Sequence, residues 1–183
     1  MKKIAAFIAS PRQQGFGARL LRRVAEGAEA AGAEVVFYDL NDRAVRGCQS
    51  CFYCRSHNTC PQKDALQPMY RDIEESCGII AAFPIYFAGI SGQGKLWVDR
   101  LYPFMGPNFT ARCPGKKMVT VYAQGNPNPD KFEALVERTN DLFKLFGWEV
   151  QDSLLVSGTS GKEEVEAELL ERAFEAGKRL AGE

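Results

Sequence analysis

Cys48, Cys51, Cys54 and Cys60 stand at spacings of x2, x2 and x5, in a chain with six cysteines in all. Thiolate sulfur is a soft metal ligand, and four thiolates this close along one chain suit the wrapping of a single iron–sulfur cube. Tetrahedral zinc also accepts four cysteines, although its ligands more often fall into two separated pairs. Free or redox-active thiols are the third reading, and the spacing leaves all three open. His57 lies inside the same segment and reads as a solvent-facing loop residue. Cys77 and Cys113 belong to no ligand-spaced group and read as small structural residues.

Two further stretches carry chemistry. Ser10-Pro11-Arg12-Gln13-Gln14-Gly15-Phe16-Gly17-Ala18 leads from an apolar run into a helical pattern. The Ser10 hydroxyl, the Arg12 side chain and successive N–H groups at the helix start form a candidate phosphate site, reinforced by the helix dipole. An ordinary strand-to-helix turn with a serine cap is the competing reading. Neither the Gly-Lys-Ser/Thr of a Walker loop nor GxGxxG is present, so nucleotide hydrolysis and a standard dinucleotide fingerprint lose support. The second stretch is Ala82-Phe83-Pro84-Ile85-Tyr86-Phe87-Ala88-Gly89-Ile90-Ser91-Gly92. Aromatics beside glycines give a flat ligand an apolar wall and leave backbone polar groups for its edge. The plainer alternative is a core rim at which Pro84 ends a strand. Lys95 reads as helix surface, Asp99-Arg100 as a structural polar pair, and no residue stands out as a catalytic acid or base.

These segments need a scaffold. Lys2 to Ala9, Glu34 to Leu40, Gly78 to Phe83, Met118 to Ala123 and, more weakly, Leu154 to Val156 are short apolar runs that predict strands. Leu21, Val24 and Ala28 repeat at helical spacing within 18–31, where Gly32 supplies a stop. Helices are also expected over 64–76, from the break at 89–94 to about Tyr102, over 130–146, and from a capping-box spacing at Ser160-Gly161-Lys162-Glu163 to about Leu180. Five strands separated by helices predict a doubly wound α/β sheet, because only helices on both faces shelter strands so continuously apolar. Ligands of such sheets sit beyond the carboxyl ends of the strands. The loops after the first, third and fourth strands are therefore the places to look.

At 183 residues the chain predicts one domain, 1–183, with the cysteine-rich loop 48–60 as its main addition. A hydrophobic share of 45% and a charged share of 25% argue against disorder. The 23 basic residues are scattered among 23 acidic ones, which disfavours a nucleic-acid partner. No run of about 18 apolar residues occurs, so no membrane span is expected. MKKIAAFIAS is too briefly apolar for a secretion signal and reads as the first strand. Clustered cysteines favour local chemistry in a reducing, cytoplasmic setting over a disulfide framework.

Taken in order, Ser10-Pro11-Arg12, the cysteine loop, Pro84-Ile85-Tyr86-Phe87, and Gly92-Gln93-Gly94-Lys95 followed by Asp99-Arg100 resemble the flavodoxin-like NAD(P)H-dependent FMN reductase family, especially its iron–sulfur flavoprotein branch. The resemblance covers about residues 2–125. It implies a flavodoxin-like sheet of order 2-1-3-4-5, bound FMN, and assembly as a homodimer or homotetramer. It also implies that Ser10, Arg12 and the turn Gly15, Phe16, Gly17 and Ala18 receive the FMN phosphate, that Pro84, Ile85, Tyr86 and Phe87 lie along the isoalloxazine, and that Gln124, Gly125 and Asn126 approach the ring. The family often places Asn or Ser and then Thr where this chain has Gly17 and Ala18, so two side-chain hydrogen bonds are missing from the turn. The implied activity carries electrons from NAD(P)H, a transient co-substrate, through FMN to a quinone, nitro or azo compound, flavin or metal acceptor. The cysteine spacing also resembles that branch's compact [4Fe–4S] motif. Two other readings are an electron-transfer iron–sulfur flavoprotein served by a ferredoxin-like carrier, and a flavin-free thiol or zinc-binding regulator.

Overall fold

The computed structural model describes residues 2–182; Met1 and Glu183, the ends of the expected domain, lie outside the described residues. Five long parallel strands, β1 (Lys2–Ile8), β2 (Ala33–Asp39), β3 (Gly78–Tyr86), β5 (Lys117–Ala123) and β6 (Glu149–Val156), pair in the order β2-β1-β3-β5-β6. Counting the long strands alone, this is the expected order 2-1-3-4-5. A two-residue strand, β4 (Gly89–Ile90), folds back antiparallel onto the end of β3. The helices are α1 (Phe16–Ala30), α2 (Cys54–His57), α3 (Met69–Glu75), α4 (Gly92–Asp99), α5 (Glu133–Lys144) and α6 (Ala167–Leu180).

Side chains alternate across a strand, so a sheet buried on both faces makes two cores. Ala5, Phe7 and Ala9 point into one, with Phe83, Trp97, Tyr122 and Phe143 beneath α3, α4 and α5. Ile4, Ala6 and Ile8 point into the other, with Leu20, Leu21, Val24, Ala173 and Leu180 of α1 and α6. On that second face α1 and α6 meet backbone to backbone. A Cβ added at Gly27 would lie 1.9 Å from the Phe174 carbonyl oxygen, and one added at Gly177 would lie 1.9 Å from that of Val24.

Several elements depart from the sequence-based expectation. β3 continues through Pro84, whose carbonyl accepts from the Ser91 N–H at 2.9 Å. Its last pairing with β1 is Ile8 with Ala82, so the proline sits where β1 has already ended and no ladder partner loses a donor. β6 starts at Glu149, well before Leu154, because it is an edge strand whose first residues, apart from Val150, are polar and at most partly buried, so no apolar run marks them. α3 is confined to Met69–Glu75. The expected capping box at 160–163 caps nothing: α6 begins at Ala167, and Ser160 belongs to the preceding loop. Asp99 and Arg100 do not pair with each other, since Asp99 takes Lys95 one turn back at 2.5 Å.

Arg100 instead fastens the base of the cysteine loop. Its guanidinium makes a two-pronged pair with Asp64 at 2.5 and 3.0 Å, and the two side chains are 1% and 3% exposed. The same group donates to the Arg46 carbonyl at 2.7 Å and to the Tyr70 hydroxyl at 3.1 Å, while the Arg46 N–H donates to Asp64 at 3.1 Å. Both ends of the 46–64 segment thus close on one buried cation. Burial by itself raises the Asp64 carboxyl, but the Arg100 hydrogen bond and the N–H groups of Arg46 and Leu66 outweigh it and hold the group below the ordinary aspartate range.

Two outcomes are expected. Gly27→Ala or Gly177→Ala drives a methyl into backbone and destabilises by about 3 kcal/mol, read as a lower urea midpoint at unchanged m-value. Arg100→Met leaves Asp64 buried without its partner and costs about 3–5 kcal/mol, with faster proteolytic cleavage inside 46–64. Because Asp64 is depressed in the fold, its contribution is complete above the unfolded value of about 4 and disappears as pH falls through the folded value. Asp64→Asn should therefore flatten that acid limb of the stability curve.

Candidate functional site

A cleft of about 360 Å³ opens at the carboxyl ends of β1, β3 and β5, between loops that follow β1, β3, β5 and β6. This is the switch point of the sheet, where the chain leaves β1 toward β2 on one side and β3 on the other. Ser10, Arg12, Gly15, Phe16 and Gly17 line one end, Pro84 to Phe87 the other, and Gly125 lies between them.

The first end is built by a tight turn. Ser10 Oγ accepts from the Arg12 N–H at 3.1 Å and contacts the Arg12 carbonyl at 3.2 Å, to which the Gly15 N–H also donates at 3.0 Å. A Cβ at Gly15 would press on that same carbonyl at 3.1 Å, so glycine allows the chain to turn this sharply into α1. α1 receives no side-chain cap at Gly15 and has no acidic residue in its first turn. The leading N–H groups of a helix lack intrahelical acceptors and carry the positive end of the helix dipole. Arg12 adds the only formal charge in the lining, and no carboxylate shares it. The arrangement suits a phosphate.

The opposite wall owes its shape to a hairpin. Phe87 and Ala88, between β3 and β4, both have left-handed backbones with φ of 48° and 57°. Two such central residues make the turn type that matches strand twist, normally supplied by Asn-Gly. Here L-residues hold it, at about 1–2 kcal/mol each. Phe87 stands out from the lip at 109% exposure, and Tyr86 is 39% exposed beside it. Ser91 ties this wall to the first: its hydroxyl donates to the Ala9 carbonyl at 2.8 Å and accepts from the Gly94 N–H at 3.2 Å, capping α4. Pro84, Ile85, Tyr86 and Phe87 thus present an apolar face of the kind a flavin ring requires.

The remaining residues expected at the site stand apart from the lining. Ala18 is fully buried in the α1–α6 core. Gln124 is 1% exposed and donates from Nε2 to the carbonyls of Asn126 and Asn128 at 3.2 and 2.6 Å, shaping the loop that presents Gly125. Asn126 accepts from the Asn128 N–H at 2.9 Å. Ala82, Ala123, Thr159 and Ser160 were not expected and do line the cleft. The carboxyl-end rule, applied to the last strand as well, points to Thr159 and Ser160.

The four clustered cysteines border a second, mostly apolar cavity of about 500 Å³, walled by Val98, Tyr102, Met105, Leu142 and Phe146. All are free thiols, with Cys48 and Cys51 exposed and Cys54 and Cys60 half-buried. Burial raises the Cys54 thiol, and Cys48, Cys60 and Cys51 add to the rise. The donor set suits an iron–sulfur cluster or zinc, yet among the described residues no three ligating side chains are gathered closely enough to hold a metal ion. His57 is exposed, stacks on Tyr53 and bonds its backbone oxygen at 3.0 Å. Arg112 secures α2 by donating to the carbonyls of Cys54 and Arg55 at 2.8 and 3.2 Å. Among the described residues no helix is long and apolar enough to cross a membrane.

Comparison with known proteins agrees with this geometry. The chain is 27% identical over 136 residues to an iron–sulfur flavoprotein of Archaeoglobus fulgidus, covering 74% of this chain and 61% of that protein. It is 32% identical over 101 residues to an iron–sulfur flavoprotein of Methanocaldococcus jannaschii, covering 55% and 52%. The matches thus span between half and two thirds of those relatives. In fold it is similar to an NAD(P)H:quinone oxidoreductase of Methanothermobacter marburgensis, with a TM-score of 0.75 at 18% identity over 100% of this chain and 98% of that one. An azoreductase of Bacillus anthracis superposes with a TM-score of 0.71 at 14% identity over 99% of both chains. The model of the NADPH-dependent FMN reductase family matches residues 2–142, a stretch that carries both ends of the cleft and the cysteine loop, and the chain belongs to that family.

Proposed function

We propose that this protein is an FMN-dependent oxidoreductase that takes electrons from NAD(P)H and passes them to a quinone, nitro or azo compound, free flavin or metal acceptor. The observation that carries the reading is the polarity of the cleft: a lone cation and a helix N-terminus at one end, and an apolar aromatic wall at the other. Bound FMN supplies the hydride and electron chemistry that side chains lack. The protein's part is to bind and orient. Arg12 and the first turn of α1 hold the phosphate, with Ser10 fixing the turn that presents them, and Pro84, Ile85, Tyr86 and Phe87 flank the ring. The lining contains no carboxylate or histidine, which accords with a site without a dedicated acid or base. The names of the two structural neighbours, a quinone oxidoreductase and an azoreductase, support the class of acceptor.

A second reading is favoured by the four thiols on one cavity and by the relatives' description as iron–sulfur flavoproteins. In it Cys48, Cys51, Cys54 and Cys60 draw together around a [4Fe–4S] cluster, and a ferredoxin-like carrier is the electron partner. A reducing, cytoplasmic setting suits such exposed thiols. Self-association as a homodimer or homotetramer is supported by exposed Phe52, Phe87 and Phe109, at 62%, 109% and 69%. The flavin-free regulator has no support from membership in an FMN reductase family.

Anaerobic isolation with quantified FMN, iron and sulfide tests both readings, followed by parallel addition of NADH, NADPH and a reduced ferredoxin. Stoichiometric FMN and bleaching by a nicotinamide are expected; a folded, colourless protein that binds no added FMN would sink the first reading. Arg12→Ala should weaken FMN binding roughly 10- to 100-fold through loss of a charged hydrogen bond. Cys54→Ala should abolish broad brown absorption and leave FMN in place. Iron and sulfide near zero in the unmodified, iron-supplied protein count decisively against the cluster.

A further inference from the structure

The loop between β6 and α6 lies beyond the stretch that matches the family, and it reaches the cleft. Hydrogen bonds fix it there: the Gly158 N–H donates to the Asn126 carbonyl at 2.8 Å, the Thr159 N–H to the Gln124 carbonyl at 3.1 Å, and the Arg19 guanidinium of α1 to the Glu163 carbonyl at 3.2 Å. The last of these sets the loop on the same side of the sheet as the start of α1. Thr159 and Ser160 thereby border the cleft. Ser160 Oγ lies 2.7 Å from the point that a Gly125 Cβ would occupy, so glycine at 125 leaves the room in which this hydroxyl sits.

The two hydroxyls have no hydrogen-bond partner among the described residues, and neither has the Arg12 guanidinium. The start of α1 is the reverse case. Gly15, Phe16, Gly17 and Ala18 carry no hydroxyl, and the hydroxyl of Ser10 is engaged with the Arg12 backbone. A phosphate monoester presents three strong acceptor oxygens, each able to accept more than one hydrogen bond, and so takes hydroxyl donors in addition to backbone N–H groups and one arginine.

We propose that Thr159 and Ser160 complete the phosphate end of the FMN cleft, donating from the β6–α6 loop the hydroxyl hydrogen bonds that the first turn of α1 lacks. The inference rests on the FMN reading, and riboflavin, which has no phosphate, separates the two. Apoprotein is titrated with FMN and with riboflavin, following flavin fluorescence, for the unmodified chain, Thr159→Ala/Ser160→Ala, Gly125→Ala, and the hydroxyl-retaining Thr159→Ser. The doubly substituted protein should bind FMN roughly tenfold or more weakly and bind riboflavin within about twofold of the unmodified chain. Gly125→Ala, which crowds Ser160, should shift FMN in the same direction, and Thr159→Ser should retain tight binding. Matching circular dichroism spectra establish that each variant folds; if the double variant does not, Ser160→Ala and Gly125→Ala carry the comparison. FMN affinity unchanged within about twofold, or an equal loss for both flavins, overturns the assignment while the FMN reading stands. Failure of the unmodified chain to bind FMN overturns both.

Discussion

The contact of α1 with α6 governs how this molecule is put together. A parallel sheet has to be covered on both faces, and one of these is covered by two helices that cross at Gly27 and Gly177 with no side chain between them. The depth of that crossing sets where each helix begins relative to the sheet. One begins at the turn after β1, and the other follows the loop after β6; both turn and loop border the same cleft. The geometry of the Ser10–Gly17 end of the cleft is therefore set by a helix contact that lies outside the cleft lining.

The other face carries different chemistry. Trp97 packs against Phe7, Phe83 and Phe143 there, and the cysteine cavity opens at its margin beside α4 and α5. The thiol cavity lies on this half of the core alone, whereas the cleft at the strand ends touches both, Ile85 from this half and Ala82 from the other. Charge distinguishes the two as well: the chain is formally neutral, yet Arg12 faces the cleft without a carboxylate beside it, while Arg100 is buried and bound to Asp64. Two arginines of equal charge have unlike tasks because only one of them is neutralised.

The strands and the order of the sheet were legible because continuous apolar runs and their alternation with helices leave few arrangements of a parallel sheet. Ser10, Arg12 and Pro84 to Phe87 were legible because ligand loops follow strand ends. Local patterns misled where tertiary contacts took over. Ser160 reads as a helix cap three residues before Glu163, but packing against Gly125 holds it in a loop and the helix starts later. Arg100 reads as the neighbour of Asp99, whereas its partner is 36 residues away. Such long-range pairings leave no periodic trace in the sequence.

That pairing also bears on how the protein could have diversified. With Arg46 and Asp64 both fastened to Arg100, the sheet experiences the intervening segment as a closed loop, whatever lies inside it. Closing a flexible loop of twice the length costs only about 0.6 kcal/mol more. Insertion, deletion or exchange between residues 46 and 64 would leave the anchor at Arg100 intact and give up only the segment's own contacts, those of Cys54 and Arg55 with Arg112 and of Cys60 with the core. The cysteine segment is in this sense a replaceable cartridge, and the same doubly wound sheet can carry different inserts between these two anchor points.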